Sequence, residues 1–250
     1  METLREIFER HEGKVSQKWD LYLDVYDSAL SYLRDKPVHY VEVGVQNGGS
    51  LEIAAKYFAH ALSLTGVDPN PRSGALAFDD PRIAVVNHPI NTAAAARQVL
   101  ARGSPVHVFV DDGSHLSPDV IMGFLNWFPA LAPGGIYIAE DLHCAYKADY
   151  MGGIDTPNSM EFFKTLVDCL HARYWIPPRP IEDRLARFFP INARPDVRCV
   201  ADIAAISFHD SLCVVLKRPA SGWGRLGPRR LAGRVAAVDP RVLDQGDREP

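Results

Sequence analysis

Cysteine is sparse and poorly spaced for chemistry. Cys144, Cys169, Cys199 and Cys213 form no Cys-x-x-Cys pair, so the sequence offers neither a zinc ribbon nor a disulfide framework. No apolar run approaches the length of a bilayer span, and the charged opening Met1-Glu-Thr-Leu-Arg-Glu6 holds no apolar signal core. Membrane insertion and export are therefore not expected, and a reducing cytoplasm is. A dominant charge is missing too, since a net charge of -4 over 250 residues gives no global attraction to nucleic acid or to an anionic membrane. The basic cluster Arg225, Arg229, Arg230 and Arg234 sits in a tail bearing Gly and Pro, and reads as a solvated terminus.

What is present suits one α/β domain: 47% hydrophobic residues can build a full core at this length. Two stretches organise the rest, Val108-Phe-Val-Asp-Asp-Gly-Ser-His115 and Gly135-Ile-Tyr-Ile-Ala-Glu-Asp-Leu-His143. Each is an apolar, β-rich run that stops at adjacent acids, the pattern of two buried parallel strands ending at a functional rim. They deliver Asp111, Asp112 and His115, then Glu140 and Asp141. Carboxylates and an imidazole at neighbouring strand ends can hold a hard divalent cation and leave a base beside it. Helix capping by Asp112 and Asp141 would explain one acid per strand, but not a doublet on both.

In chain order, residues 1–36 form a helical segment, with Ser16 as N-cap and Trp19, Leu23, Tyr26, Leu30 and Leu33 recurring at helical steps. The aromatic stripe Trp19, Tyr22 and Tyr26 either lines a ligand entrance or packs on the sheet, and packing is the reading preferred. A strand at Val38–Val43 leads into Gly44-Val-Gln-Asn-Gly-Gly49, a turn whose glycines let backbone N–H groups approach a ligand at the start of the next helix. Its spacing differs from the Gly-x-Gly-x-x-Gly dinucleotide fingerprint, which counts against NAD. The second strand, Ser63–Val67, ends in Asp68, where an acid can accept from both ribose hydroxyls.

Strands at Ile83–Val86 and Val106–Val110, alternating with helices, complete a βαβ pattern and place ligands at the carboxyl ends of the strands. Residues 142–158 and 176–196 are expected as lid loops. Apolar runs at Val197–Phe208 and Ser211–Leu216, split by His209-Asp210, predict an antiparallel hairpin. The tail is 219–250, and either terminus could serve a homo-oligomeric contact, for example in a dimer.

From about Val38 to Lys217 the chain resembles the class I S-adenosylmethionine-dependent methyltransferases. The resemblance rests on Val41-Glu-Val-Gly-Val-Gln-Asn-Gly48, on Gly66-Val-Asp68 and on Leu131-Ala-Pro-Gly-Gly135. Asp111-Asp-Gly-Ser-His115 with Ala139-Glu-Asp141 is similar, in residues and separation, to the magnesium-dependent sugar O-methyltransferases of the macrocin and mycinamicin type, to the cephalosporin hydroxylase group and to enzymes of bacterial methylated polysaccharides. The resemblance implies a Rossmann-like sheet for residues 37–218, parallel with one antiparallel C-terminal strand and helices on both faces. It implies S-adenosyl-L-methionine bound by Glu42, Gly44, Gly48, Ser50, Asp68 and Asp111, and Mg2+ held by Asp112, Glu140 and Asp141. His115 becomes the general base, and His143 and Tyr146 are candidates for the acceptor, a saccharide or glycosylated natural product.

An unperturbed imidazole titrates near pH 6.5, about where a general base is useful. Two other classes stay open on the residues alone. A metal-dependent hydrolase would use the acids and leave the glycine turn without a ligand, whereas a non-catalytic nucleotide-binding module would use the turn and leave the acids idle.

Overall fold

The computed structural model describes residues 2–89 and 92–221, and beyond them 226–227, 230–233, 235, 237–238 and 241. Arg225, Arg229 and Arg234 of the tail lie outside the described residues. Helix α1 (Leu4–Glu9) starts at a capping box in which Thr3 and Glu6 satisfy each other's backbone donors. Helix α2 spans Asp20–Leu30. The sequence predicts helix from Ser16, but residues 11–19 run as an irregular strap, and Trp19 holds the N-cap position. Tertiary contacts override the local pattern here. Lys14 and Lys18 reach out to acids on other elements, and a Cβ at Gly13 would sit 2.1 Å from a Glu52 oxygen.

Strand β1 (His39–Val43) is followed by α3 (Gly49–Tyr57), β2 (Ser63–Val67), the single turn α4 (Pro71–Gly74), β3 (Ile83–Val86) and α5 (Ala93–Arg102). Then come β4 (Val106–Asp111), α6 (Ser117–Trp127), β5 (Leu131–Ala139), α7 (Ser159–Leu170), α8 (Ile181–Leu185) and the hairpin β6 (Ile203–His209) and β7 (Leu212–Lys217). The sheet order is β3-β2-β1-β4-β5-β7-β6. Pairings from β3 through β5 are parallel, and β7 runs antiparallel to both β5 and β6. The expected mixed sheet with one reversed strand is what forms. Strand β6 starts later than predicted, because Asp196 accepts from the Arg198 backbone and winds Arg198–Asp202 into a 3-10 turn.

Side chains alternate across the sheet into two cores. Phe109, Tyr137 and Val43 face α6 and α7, and Val108, Val110, Ile136 and Ile138 face α2 and α3. Helices on both faces explain why these strands read as continuous apolar runs. Residues 142–158 wind into 3-10 turns at Leu142–Tyr146 and Ala148–Tyr150, with Leu142, Cys144 and Ala145 buried. Between 176 and 196, α8 packs on α7, where Arg184 pairs with Asp168 and Leu185 is buried. Among the described residues no helix is long and apolar enough to cross a membrane.

Candidate active site

Register builds the site. Val43 lies beside Asp111 and Asp111 beside Ala139, so the residues just past each strand end, Gly44, Asp112 and Glu140, line one rim. The ladder continues past the strands: Asp112 N–H donates to Val43 (3.0 Å) and Glu140 N–H to Asp111 (2.9 Å). At the turn after β1, Gly44 has φ 87° and an added Cβ would lie 1.8 Å from the Asp112 carbonyl oxygen. Only glycine fits so close to a neighbouring backbone. Gly48 takes φ 86° at the N-cap position of α3, and Gln46 between them has φ 49°.

Asp68 is buried at the end of β2, and its carboxylate is turned into the protein. One oxygen accepts from Val45 N–H (3.0 Å) and Gln46 N–H (3.1 Å), and the other from Asn70 N–H (2.8 Å). It thus fastens the glycine turn to the next loop. Glu42, buried in β1, accepts from the Tyr40 hydroxyl at 3.1 Å and also interacts with the Ser50 hydroxyl. Burial pushes its pKa up, against the pull of Lys18, and its Oε1 is a buried atom without a hydrogen-bond partner. Asp111 is buried too and accepts from the Tyr137 hydroxyl at 2.7 Å; burial raises it to about 6.

The other acids face side chains. Lys18 places its ammonium 2.5 Å from Asp112 Oδ2, 2.7 Å from Glu140 Oε1 and 4.0 Å from Glu42 Oε1. Burial opposes this charge, but the carboxylates of Glu140, Asp112 and Glu42 outweigh it and hold the ammonium above its ordinary pKa. Tyr26 also donates to Glu140 Oε1. Asp141, strained at φ 53°, has its Oδ1 held by Trp19 Nε1 (3.0 Å) and the Tyr22 hydroxyl (2.9 Å). Neither Asp112 nor Asp141 caps a helix: Leu116 is the N-cap residue of α6, and Asp141 makes no side-chain cap bond.

His115, also at positive φ (56°), directs Nε2 to 3.9 Å from Asp112 Oδ1 and 3.7 Å from Asp141 Oδ2. Donor atoms of Asp112, His115 and Asp141 lie within 4.8 Å of one another, a spacing that fits one cation. Glu140, the remaining acid expected to hold the metal, lines the same cleft, with its Oε1 accepting from Lys18 and Tyr26. His143 contacts Ser211 Oγ at 2.6 Å and meets the Trp19 ring edge-on, and Tyr146 lies exposed.

The rim opens into a cleft of about 540 Å³ lined by Gly44, Gln46, Ser50, Asp68, Asp112, His115, Glu140 and Asp141, with residues 15–19 as a further wall. Residues 176–196 contribute nothing to that lining. Sequence reading missed Lys18 and the hydroxyls of Tyr22 and Tyr26 because they come from the segment taken as packing decoration. Their signal was polar tips on an apolar stripe, next to a rim with an excess of acid.

Residues 41–142 match the family described as a methyltransferase domain. The chain is 34% identical over 229 residues to the 8-demethyl-8-alpha-L-rhamnosyl tetracenomycin-C 2'-O-methyltransferase of Streptomyces olivaceus, covering 87% of this chain and 56% of that protein. It is 32% identical over 183 residues to the 8-demethyl-8-(2-methoxy-alpha-L-rhamnosyl)-tetracenomycin-C 3'-O-methyltransferase of the same organism, covering 68% and 46%. Among solved structures, the MycE methyltransferase from the mycinamycin biosynthetic pathway, in complex with Mg and SAH, superposes with a TM-score of 0.71 at 23% identity, covering 96% of this chain and 57% of that one. The fold is shared, and the chain spans about half the length of the curated relatives it matches.

Proposed function

Since residues 41–142 make this chain a member of the methyltransferase domain family, we propose that it transfers a methyl group from S-adenosylmethionine to a sugar hydroxyl, with magnesium as the metal and a glycosylated small molecule or a saccharide as acceptor. The observation that carries this reading is the single cleft in which the glycine turn and the acid rim meet. A hydrolase would leave the turn unused, and a nucleotide-binding module would leave the acids unused. The two curated relatives named above are O-methyltransferases of rhamnosyl groups, and the solved relative carries Mg and SAH, which supports both the sugar and the cofactors.

Bound in this cleft, S-adenosylmethionine supplies an electrophilic methyl group, and a divalent cation lowers the pKa of the acceptor hydroxyl. The chain's own residues do the rest. The Gly44–Gly48 turn brings backbone to the donor and Asp68 fixes its shape, with Glu42, Ser50 and Asp111 beneath. Asp112, Glu140 and Asp141 would hold the cation, with Asp112 Oδ1 and Asp141 Oδ2 open toward His115. His115 Nε2, next to both open oxygens, takes the hydroxyl proton, a role worth about 10²–10⁴-fold in rate. His143 and Tyr146 stand at the outer rim for the acceptor.

The test is incubation of the protein, S-adenosylmethionine and magnesium with rhamnosylated and other glycosylated acceptors, read by mass spectrometry. The expected result is one added methyl group on the sugar. Methylation of aglycones with none on any sugar would overturn the acceptor assignment.

A further inference from the structure

The three aromatics of the N-terminal stripe meet solvent very differently. Tyr22 and Tyr26 are buried, at 1% and 7% exposure, with hydroxyls that donate to Asp141 and Glu140. Trp19 stays 60% exposed and lines the cleft. An exposed indole leaves a large apolar surface in water, a cost that packing normally removes. Its backbone breaks a local rule as well. Trp19 holds the N-cap position of α2 with no side-chain cap bond, where a short polar side chain is usual. Natural chains break such rules mainly at functional sites.

The ring is nevertheless held still. Its Nε1 donates to Asp141 Oδ1 at 3.0 Å, and the His143 ring meets it edge-on at 6.0 Å between centroids. One residue earlier, Lys18 pairs with Asp112 and Glu140, so the backbone leading to the ring is tied to the rim. Farther back, Lys14 holds Glu52 through its ammonium at 2.7 Å and its backbone N–H at 2.8 Å. A surface fixed in advance loses little conformational freedom when a ligand packs on it. The other oxygen of Asp141 lies 3.7 Å from His115 Nε2. The indole is therefore one carboxylate away from the place where the acceptor hydroxyl must lie. Among the described residues lining the cleft, Trp19 and His115 alone carry aromatic rings, and His115 is committed to the proton.

We propose that Trp19 is the acceptor platform: its indole face packs against the C–H face of the sugar ring while a hydroxyl of that ring reaches the acid rim and His115. This deepens the sugar-methylating reading above and rests on it. A pyranose is polar around its edge and presents C–H bonds on its faces, which suit the electron-rich face of an indole. The acids of the rim offer acceptors for the hydroxyls, and the apolar face of the sugar falls to Trp19. A tryptophan that only ties Asp141 in place would act through its N–H and not through its face.

The experiment is titration of the intact protein with methyl α-L-rhamnopyranoside, read by ligand-observed NMR in saturating magnesium and S-adenosylhomocysteine, which has no methyl group to transfer. Thermal melting is run on the same samples. Trp19→Ala and Trp19→Leu remove both the flat face and the N–H, and the leucine keeps apolar bulk should the alanine variant fail to fold. Trp19→Phe removes the N–H and keeps a face. The alanine and leucine variants should bind the sugar about tenfold or more weakly, and Trp19→Phe should stay within about threefold of wild type. Affinity for S-adenosylhomocysteine should be the same in all. Equal losses in Trp19→Phe and Trp19→Leu assign Trp19 to tethering Asp141 and overturn the platform, as does unchanged sugar binding in folded Trp19→Leu. Turnover of rhamnosylated acceptors with S-adenosylmethionine separates the two readings. If the sugar binds through Trp19 and never gains a methyl group, the methyl-transfer function fails and the platform stands. If it is methylated and its binding ignores Trp19, the platform alone fails. No sugar binding by wild type overturns the platform whatever the turnover.

Discussion

The two halves of the rim use the same residue type in opposite ways. On the β1–β2 side, Asp68 directs its oxygens inward, to three backbone N–H groups, and so shapes the turn that faces the cleft. On the β4–β5 side, Asp112 and Asp141 are held by side chains from the N-terminal segment, and each keeps an oxygen open toward His115. An acid at a strand end is thus a scaffold on one side and a reagent on the other. Which one it becomes depends on the donors within reach, and these come from elsewhere in the chain.

The largest effect should come from the reagent side. His115→Ala is expected to slow single-turnover methylation by about 10²–10⁴-fold while cofactor and metal affinity change little. If metal binding is lost along with the rate, His115 belongs among the ligands.

On the scaffold side, Asp68→Ala leaves three backbone donors without their acceptor. Differential melting should register a loss of about 3 kcal/mol, accompanied by weaker S-adenosylmethionine binding, and Asp68→Asn should lose less of both. Weaker cofactor binding with an unchanged melting curve would move Asp68 from scaffold to direct ligand contact and so dissolve the contrast.

The smallest effect belongs to the opposite end of β1 and β4, away from both halves. Burial holds the His39 and His107 imidazoles below the ordinary histidine pKa, His107 further lowered by His39 and Lys36. His107 Nδ1 already accepts the His39 backbone N–H at 3.1 Å. The folded chain therefore takes up these protons less readily than the unfolded one. Their contribution to stability is complete above pH of about 6.5 and is lost as the pH falls below it. His107→Gln should flatten that decline in a melting series taken from neutral to mildly acidic pH, with methyl transfer unaffected. An equally steep decline in the variant would assign the pH response to other groups, such as those of the rim.

Much of the sheet was legible because continuous apolar, β-rich runs and abrupt acidic stops are local signals. Phe109 between Val108 and Val110, and the doublets after β4 and β5, announce strands and rim without any tertiary knowledge. The hairpin after α8 was visible for the same reason. The N-terminal segment was not, because its conformation is fixed by partners far along the chain. Lys18 meets Asp112 and Glu140, and Gly13 and Gly49 are small where the strap passes Glu52 and α3. Local pattern favoured helix, and long-range ion pairs with close backbone packing prevailed. The inward turn of Asp68 was hidden for a related reason: a sequence shows an acid after a strand, but not the N–H groups that a folded turn aims at it.

The central claim is that the cofactor half and the metal half are separate devices meeting in one cleft. The most direct test titrates S-adenosylmethionine into the protein in excess chelator and assays methyl transfer to a glycosylated acceptor in the same buffer. The account predicts undiminished cofactor binding with turnover abolished, and turnover restored when magnesium is returned in excess. Full turnover in the chelator would contradict it.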